Sequence, residues 1–267
     1  MLALNKPRNQ YKLFFALGLV TLGLMIVPNP AKAVSLVPLT SQDADTDFDD
    51  ADFNLLLDKG DFKELFVAEA RIGNNGFGGN GERELGINRD VRASVNPGQP
   101  VTKGDLVWGN GKIWDFSLEY TGSKVTYKVF DATQTLALTT QEFSEPVTDI
   151  LFRTFAQKNS GNNTNNSVTL SDLFLNGQSL GSLSSTGSAI SDVDYIGVSA
   201  ISTNFMLTGK TSFNWSGSAP QRSNLAFQIK VGTSKSVPEP STIGAIFAAT
   251  IAGTAVSKRK KVANQQV

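Results

Sequence analysis

At 267 residues, with 40% hydrophobic residues and 17 Phe, the chain has enough apolar material for one large or two small domains and is not a disordered polymer. It contains no Cys and no His, which excludes disulfides, thiolate nucleophiles, Cys-ligated zinc or iron–sulfur centres, Ser–His–Asp triads and imidazole metal sites. The 24 basic and 24 acidic residues cancel only because the ends are basic: residues 1–33 and 238–267 hold eight bases and one acid, leaving about −7 on residues 34–237, a sign that argues against nucleic acid and anionic lipid as partners.

The N-terminus has the layout of a secretory signal. Lys6, Arg8 and Lys12 precede the uncharged apolar run Leu13–Val27; Pro28 and Pro30 break it, and Ala31 and Ala33 supply the small residues that signal peptidase reads. Cleavage after Ala33 would start the mature chain at Val34. A retained anchor is the competing reading, but the 15-residue run is shorter than the roughly 20 residues a span needs. Residues 34–60 then read as an acidic leader, most concentrated at 41–52 (SQDADTDFDDAD). Asp43, Asp45 and Asp47 are spaced like the opening of a calcium loop, yet Phe48 stands where Gly is needed and Asn54 where the bidentate Glu belongs. The expectation is a solvated charge run, with no metal and no cofactor.

Residues 61–233 read as one β domain. Phe66, Ala68, Ala70 and Ile72 share a face at period two, although Asp61 and Glu64 could equally cap a helix there. Trp114, Phe116, Leu118 and Tyr120 alternate with polar residues, and Thr121-Gly122-Ser123 turns the chain into Val125, Tyr127 and Val129, a hairpin with one apolar face. Strands are expected at Thr135–Phe143, Asp149–Ala156, Val168–Leu175, Val193–Ser199, Phe205–Thr208, Thr211–Trp215 and Leu225–Val231, with Asn176-Gly177 as a tight turn. Asn159–Ser167 and the Gly- and Ser-rich Gly181–Ser188 read as surface loops. About ten short strands without a long helix predict an all-β fold, an antiparallel sandwich of jelly-roll type.

Three constellations bear on chemistry. Gly76-Phe77-Gly78-Gly79-Asn80-Gly81 spells G-x-G-x-x-G, but no parallel strand–helix unit surrounds it, so it reads as a flexible loop. Trp114 and Trp215 lie in phase with apolar neighbours and belong to the core; Trp108, beside the turn Gly109-Asn110-Gly111, is the candidate for stacking on a sugar ring, against the ordinary alternative of burial. Among carboxylates, Asp115 and Glu119 lie four residues apart on one strand, about 13 Å and beyond glycosidase spacing, while Asp192 and Asp194 flank a turn rather than a cleft. No catalytic residue emerges.

The C-terminus carries Pro238-Glu239-Pro240, an apolar stretch Ile243–Val256, and the cluster Lys258, Arg259, Lys260 and Lys261, followed by the polar tail 262–267. With Thr242 the apolar segment makes about 22 Å of helix against a core of about 30 Å, and the basic cluster holds its far end on the cytoplasmic side. This order of motif, short helix and basic cluster, spanning residues 234–261, resembles the PEP-CTERM sorting signal. The resemblance implies recognition by exosortase, a membrane protease that removes the hydrophobic tail, and delivery to the cell surface or extracellular matrix of an organism that secretes exopolysaccharide. The body resembles the extracellular choice-of-anchor domains of the W type, in the segments Phe66–Gly73, Trp108–Gly111 and Leu225–Gly232; that group implies architecture and location but no activity. The expected function is a secreted, non-catalytic surface or matrix protein associated with exopolysaccharide, whose C-terminal helix enters the inner membrane transiently. The alternative is a carbohydrate-binding module using Trp108, and behind it a polysaccharide-acting enzyme.

Overall fold

The computed structural model describes residues 34–73, 84–89, 100–158, 165–187, 191–220 and 222–235; the signal segment with Ala31 and Ala33, the Gly76–Gly81 motif and everything from residue 236 on, including Pro238, Glu239, Pro240 and the basic cluster, lie outside them. Among the described residues the elements in chain order are β1 (Ser35–Val37), α1 (Asp50–Asp58), β2 (Phe62–Arg71), β3 (Leu85–Asn88), β4 (Thr102–Gly104), β5 (Ile113–Thr121), β6 (Val125–Phe130), β7 (Thr135–Thr140), β8 (Asp149–Gln157), β9 (Asn166–Leu175), β10 (Gln178–Gly187), β11 (Ser191–Ser199), β12 (Asn204–Trp215) and β13 (Leu225–Ser234).

The strands form two antiparallel sheets, one of seven in the order β1-β11-β8-β13-β2-β3-β4 and one of six in the order β10-β9-β12-β5-β6-β7. Period-two alternation does the sorting. On β5 the residues Trp114, Phe116, Leu118 and Tyr120 are all buried while their neighbours are half exposed, and the same phase runs through Val125, Tyr127 and Val129 on β6. The inner faces meet in one core, where Phe227 of β13 packs against Phe116 of β5 with centroids 5.7 Å apart. The antiparallel sandwich expected from the sequence is the observed architecture, and the ambiguous stretch from Phe62 to Arg71 is a strand. From β8 onward the chain crosses repeatedly between sheets, so the last strand, β13, ends in the middle of the seven.

Asn176-Gly177 forms the tight turn that its sequence predicts. Both residues have positive φ (51° and 83°), as the hairpin turn between Leu175 and its partner Gln178 requires.

Three expectations are corrected. Gly181–Ser188 is not a loop: through Gly187 it is the greater part of β10, paired along β9. Its residues are poor strand formers, but the hairpin supplies their backbone partners and the small Ser185 fits a buried position, where its hydroxyl meets Thr154 at 2.8 Å and Asp194 at 2.7 Å. Phe205–Thr208 and Thr211–Trp215 are one strand, because Gly209 stays in phase with Leu207 and Phe213 and admits the Phe116 ring, which a Cβ there would meet at 2.8 Å. The acidic leader is not merely solvated. It folds into β1 on the sheet edge, a loop, and α1 lying against the outer face of the seven-stranded sheet.

Candidate functional site

Among the described residues, the acidic loop 41–49 together with α1 gathers a dense set of polar contacts. The helix starts where Asp49 caps it: its carboxylate accepts from the Ala51 and Asp52 amides, and Asp52 returns the bond to the Asp49 amide at 3.0 Å, a capping box built from two aspartates. Asp52 is fully buried, and its other oxygen gathers the Gln42 and Asp43 amides and the Ser41 hydroxyl. Burial pushes its carboxyl upward, but these hydrogen bonds prevail and hold it below its ordinary value.

Asp43, Asp45 and Asp52 bring carboxylate oxygens within 4.8 Å of one another, a set of hard oxygen donors of the kind calcium takes. Asp47, third in the sequence run, is not in that group; its amide instead donates to Asp45. The buried member, Asp52, is already engaged by three backbone amides, so the cluster functions as the staple that folds the loop onto the helix.

A second set of charges clamps α1 to the sheet. Asp50 makes a two-pronged pair with Arg153 of β8 and accepts from the Tyr195 hydroxyl of β11 at 2.7 Å. Beside it Lys230 of β13 is buried, its Nζ 4.2 Å above the Phe53 ring and 3.6 Å from Glu64. Burial lowers the Lys230 ammonium's pKa, partly offset by Glu64. Burial alone would raise Asp50, but the Arg153 and Tyr195 hydrogen bonds hold it below 3.8. A carboxylate whose folded pKa is depressed adds stability that is complete above its unfolded value, near 3.9, and that vanishes as the pH falls through the folded value. Urea midpoints are therefore expected to drop below about pH 4, and Asp50→Asn should flatten that acid limb relative to wild type. Identical acid limbs in the two proteins would show that this pair does not govern it. Asp194 works in the opposite sense: burial and then Asp192 raise its pKa, so it costs stability as the pH rises through that range.

Between the loop, α1 and strands β1, β2, β8, β11 and β13 lies a cavity of about 340 Å³. Its floor is the buried Phe62 and Leu151, its cover is Phe48 and Leu56, and its rim carries Gln42, Asp61, Asp149 and Lys235. Phe48 is fixed edge-on against Tyr195 at 5.2 Å. Lys235 spans the rim, donating from Nζ to the Lys59 carbonyl at 3.0 Å and lying 3.4 Å from Asp61. Asp149 holds the end of β13 by accepting from the Ser234 amide at 2.9 Å.

The sequence-picked residues fare differently. Trp108 has no accessible surface: its indole N–H donates to the Arg71 carbonyl at 2.9 Å and its ring meets Phe213 edge-on at 4.6 Å. The proposed stacking platform is thus a core residue, since an indole gains more from burial than from standing beside a turn. Asp192 and Asp194 lie within β11 rather than at a turn, and they cover the free edge of β10 by accepting from the Thr186 amide and the Ser185 hydroxyl. Asp115 and Glu119 are half exposed on β5. The cavity residues carried no sequence signal, because they come from segments far apart in the chain.

No protein-family model matches the chain, and no curated protein matches its sequence.

Proposed function

We propose that this chain is a secreted, non-catalytic surface or matrix protein associated with exopolysaccharide, sorted by the segment Pro238-Glu239-Pro240 and its basic-flanked apolar tail. In this reading residues 1–33 are removed by signal peptidase, the tail is removed by an exosortase-type protease after transient insertion in the inner membrane, and the sandwich, of jelly-roll type, is what remains. The observation that supports it most is the position of the two addresses relative to the fold. Every described strand lies between Ser35 and Ser234, so both segments can leave without taking a strand with them. Asp192 and Asp194, the closer of the two carboxylate pairs in the sequence, are engaged in holding β10 to β11.

Intact mass spectrometry of the native protein tests this reading. The expected species begins near Val34 and ends near residue 240, and Glu239→Ala should leave the tail attached and the protein in the inner membrane. A surface-exposed species still carrying Lys258 to Val267 would make the tail a permanent anchor and remove the sorting assignment.

A further inference from the structure

We propose that the cavity under Phe48 is a saccharide subsite that takes one neutral pyranose ring. The inference deepens the matrix reading above, and it rests on that reading only for where the glycan comes from. Its basis is the way the cavity divides into two kinds of surface. Phe48, Phe62 and Leu151 form an apolar wall and floor, while Asp61, Asp149 and Gln42 stand on the rim. A pyranose has the same division, with a face of C–H groups and an equator of hydroxyls. At about 340 Å³ the cavity is at the small end of ligand pockets, which suits a single ring better than an extended chain.

Charge narrows the class further. Lys235 is bonded to the Lys59 carbonyl and paired with Asp61, and the Lys59 ammonium donates to the Gln42 side-chain oxygen at 3.2 Å, so two ammoniums stand against Asp61 and Asp149 and the rim is close to neutral. An anionic ligand, whether an acid sugar or a fatty acid, would meet the Asp149 carboxylate, which pairs with no cation among the described residues, while both ammoniums are already engaged, Lys235 with Asp61 and Lys59 with Gln42. A purely apolar ligand would strip water from the carboxylates without replacing its hydrogen bonds. One oxygen of each acid is engaged: Asp149 accepts from the Ser234 amide and the Thr148 hydroxyl through Oδ2, and Asp61 meets Lys235 through Oδ1. The second oxygens carry no hydrogen bond among the described residues, and a sugar hydroxyl is the neutral donor that completes them.

The experiment is saturation-transfer NMR on the full chain in a non-glycosidic detergent, with glucose, galactose, mannose and N-acetylglucosamine as separate probes and hexanoate as the apolar acid. Transfer to the ring C–H protons of at least one sugar is expected, with weak affinity on the order of millimolar. Phe48→Ala should weaken it about tenfold by removing the stacking wall, a loss of roughly 1.4 kcal/mol. Asp149→Asn, which keeps the side-chain shape, should weaken it severalfold, and it reads the same cavity if Phe48→Ala does not fold. Met206→Ala, on the opposite sheet and away from the cavity, should change nothing. Absence of transfer from all four sugars, equal transfer in wild type and Asp149→Asn, or a stronger signal from hexanoate than from any sugar would each overturn the proposal. A protein that binds sugar here yet retains its tail would leave the subsite standing and remove the sorting reading, so the two failures are distinguishable.

Discussion

Trp108→Ala is expected to destabilise the protein by about 3–5 kcal/mol while leaving sugar binding by the folded fraction unchanged. The side chain is fully buried, and it sits at a junction of interactions rather than in a uniform apolar bath. Its ring packs edge-on against Phe213 at 4.6 Å and Trp114 at 6.1 Å, its N–H ties β5's neighbourhood to the Arg71 carbonyl at the end of β2, and its own carbonyl accepts the Trp114 indole N–H at 2.8 Å. Truncation removes the largest class of core side chain, leaves a cavity among aromatic walls that cannot collapse far, and removes the hydrogen bond that the Arg71 carbonyl accepts from the indole. Against a typical total of about 5–15 kcal/mol this is a large fraction, equivalent to a fall of roughly 6–20 °C in Tm for a domain of this size. Thermal and urea melts measure it directly. A variant as stable as wild type would mean that the indole stands in solvent, and the surface-stacking role would return.

Trp108 also shows where sequence reading reaches its limit. The alternation on β5 and β13 was legible because each strand has one face on the core and one on water, so residue type reports orientation directly. The Asn176-Gly177 turn was legible because its chemistry is local. Trp108 lies in a segment with no regular period, Leu106 to Asn110, where burial depends on how the chain folds over β2 and not on neighbours in sequence. β10 was missed for a related reason: Ser and Gly have little strand propensity, and what makes Gln178–Gly187 a strand is the partner β9 beside it. α1 did have a local signal, since Asp49 and Asp52 stand at cap and third positions before Phe53-Asn54-Leu55-Leu56-Leu57, but the density of acids around it reads first as a solvated run. The cavity had none. Its residues come from the loop, α1 and five strands, and only the sheet register brings Asp61, Asp149 and Lys235 to one rim.

The register that builds the rim depends on one residue. Gly232→Ala is expected to cost about 3 kcal/mol or more, comparable to the loss of a core aromatic although it adds only a methyl group. Gly232 sits on the central strand β13 where the pairing with β2 slips: Val231 faces Phe66, but Gly232 faces Glu64, so Leu65 is an extra residue on β2. The bulge drives the β2 backbone inward, and a Cβ at Gly232 would lie 2.2 Å from the Lys63 carbonyl oxygen and 2.7 Å from the Phe62 ring. A flexible side chain could turn aside at little cost; a backbone carbonyl cannot move without shifting the strand. The strand on the other side is fixed as well, since Gly232 also pairs with Asp149 and its carbonyl accepts the Thr148 amide at 2.9 Å. Gly177→Ala provides the comparison. There φ is +83° but nothing lies within 4 Å of the added Cβ, so the cost is backbone strain alone, about 1–2 kcal/mol. Urea midpoints of the two variants should therefore rank Gly232→Ala well below Gly177→Ala, and because Phe62, Asp149 and Ser234 all flank the displaced segment, any Gly232→Ala protein that still folds should also lose sugar binding at the cavity. The reverse ranking would mean that β2 and β13 do not approach this closely, and the rim formed by Asp61 and Asp149 would have to be rebuilt on a different register.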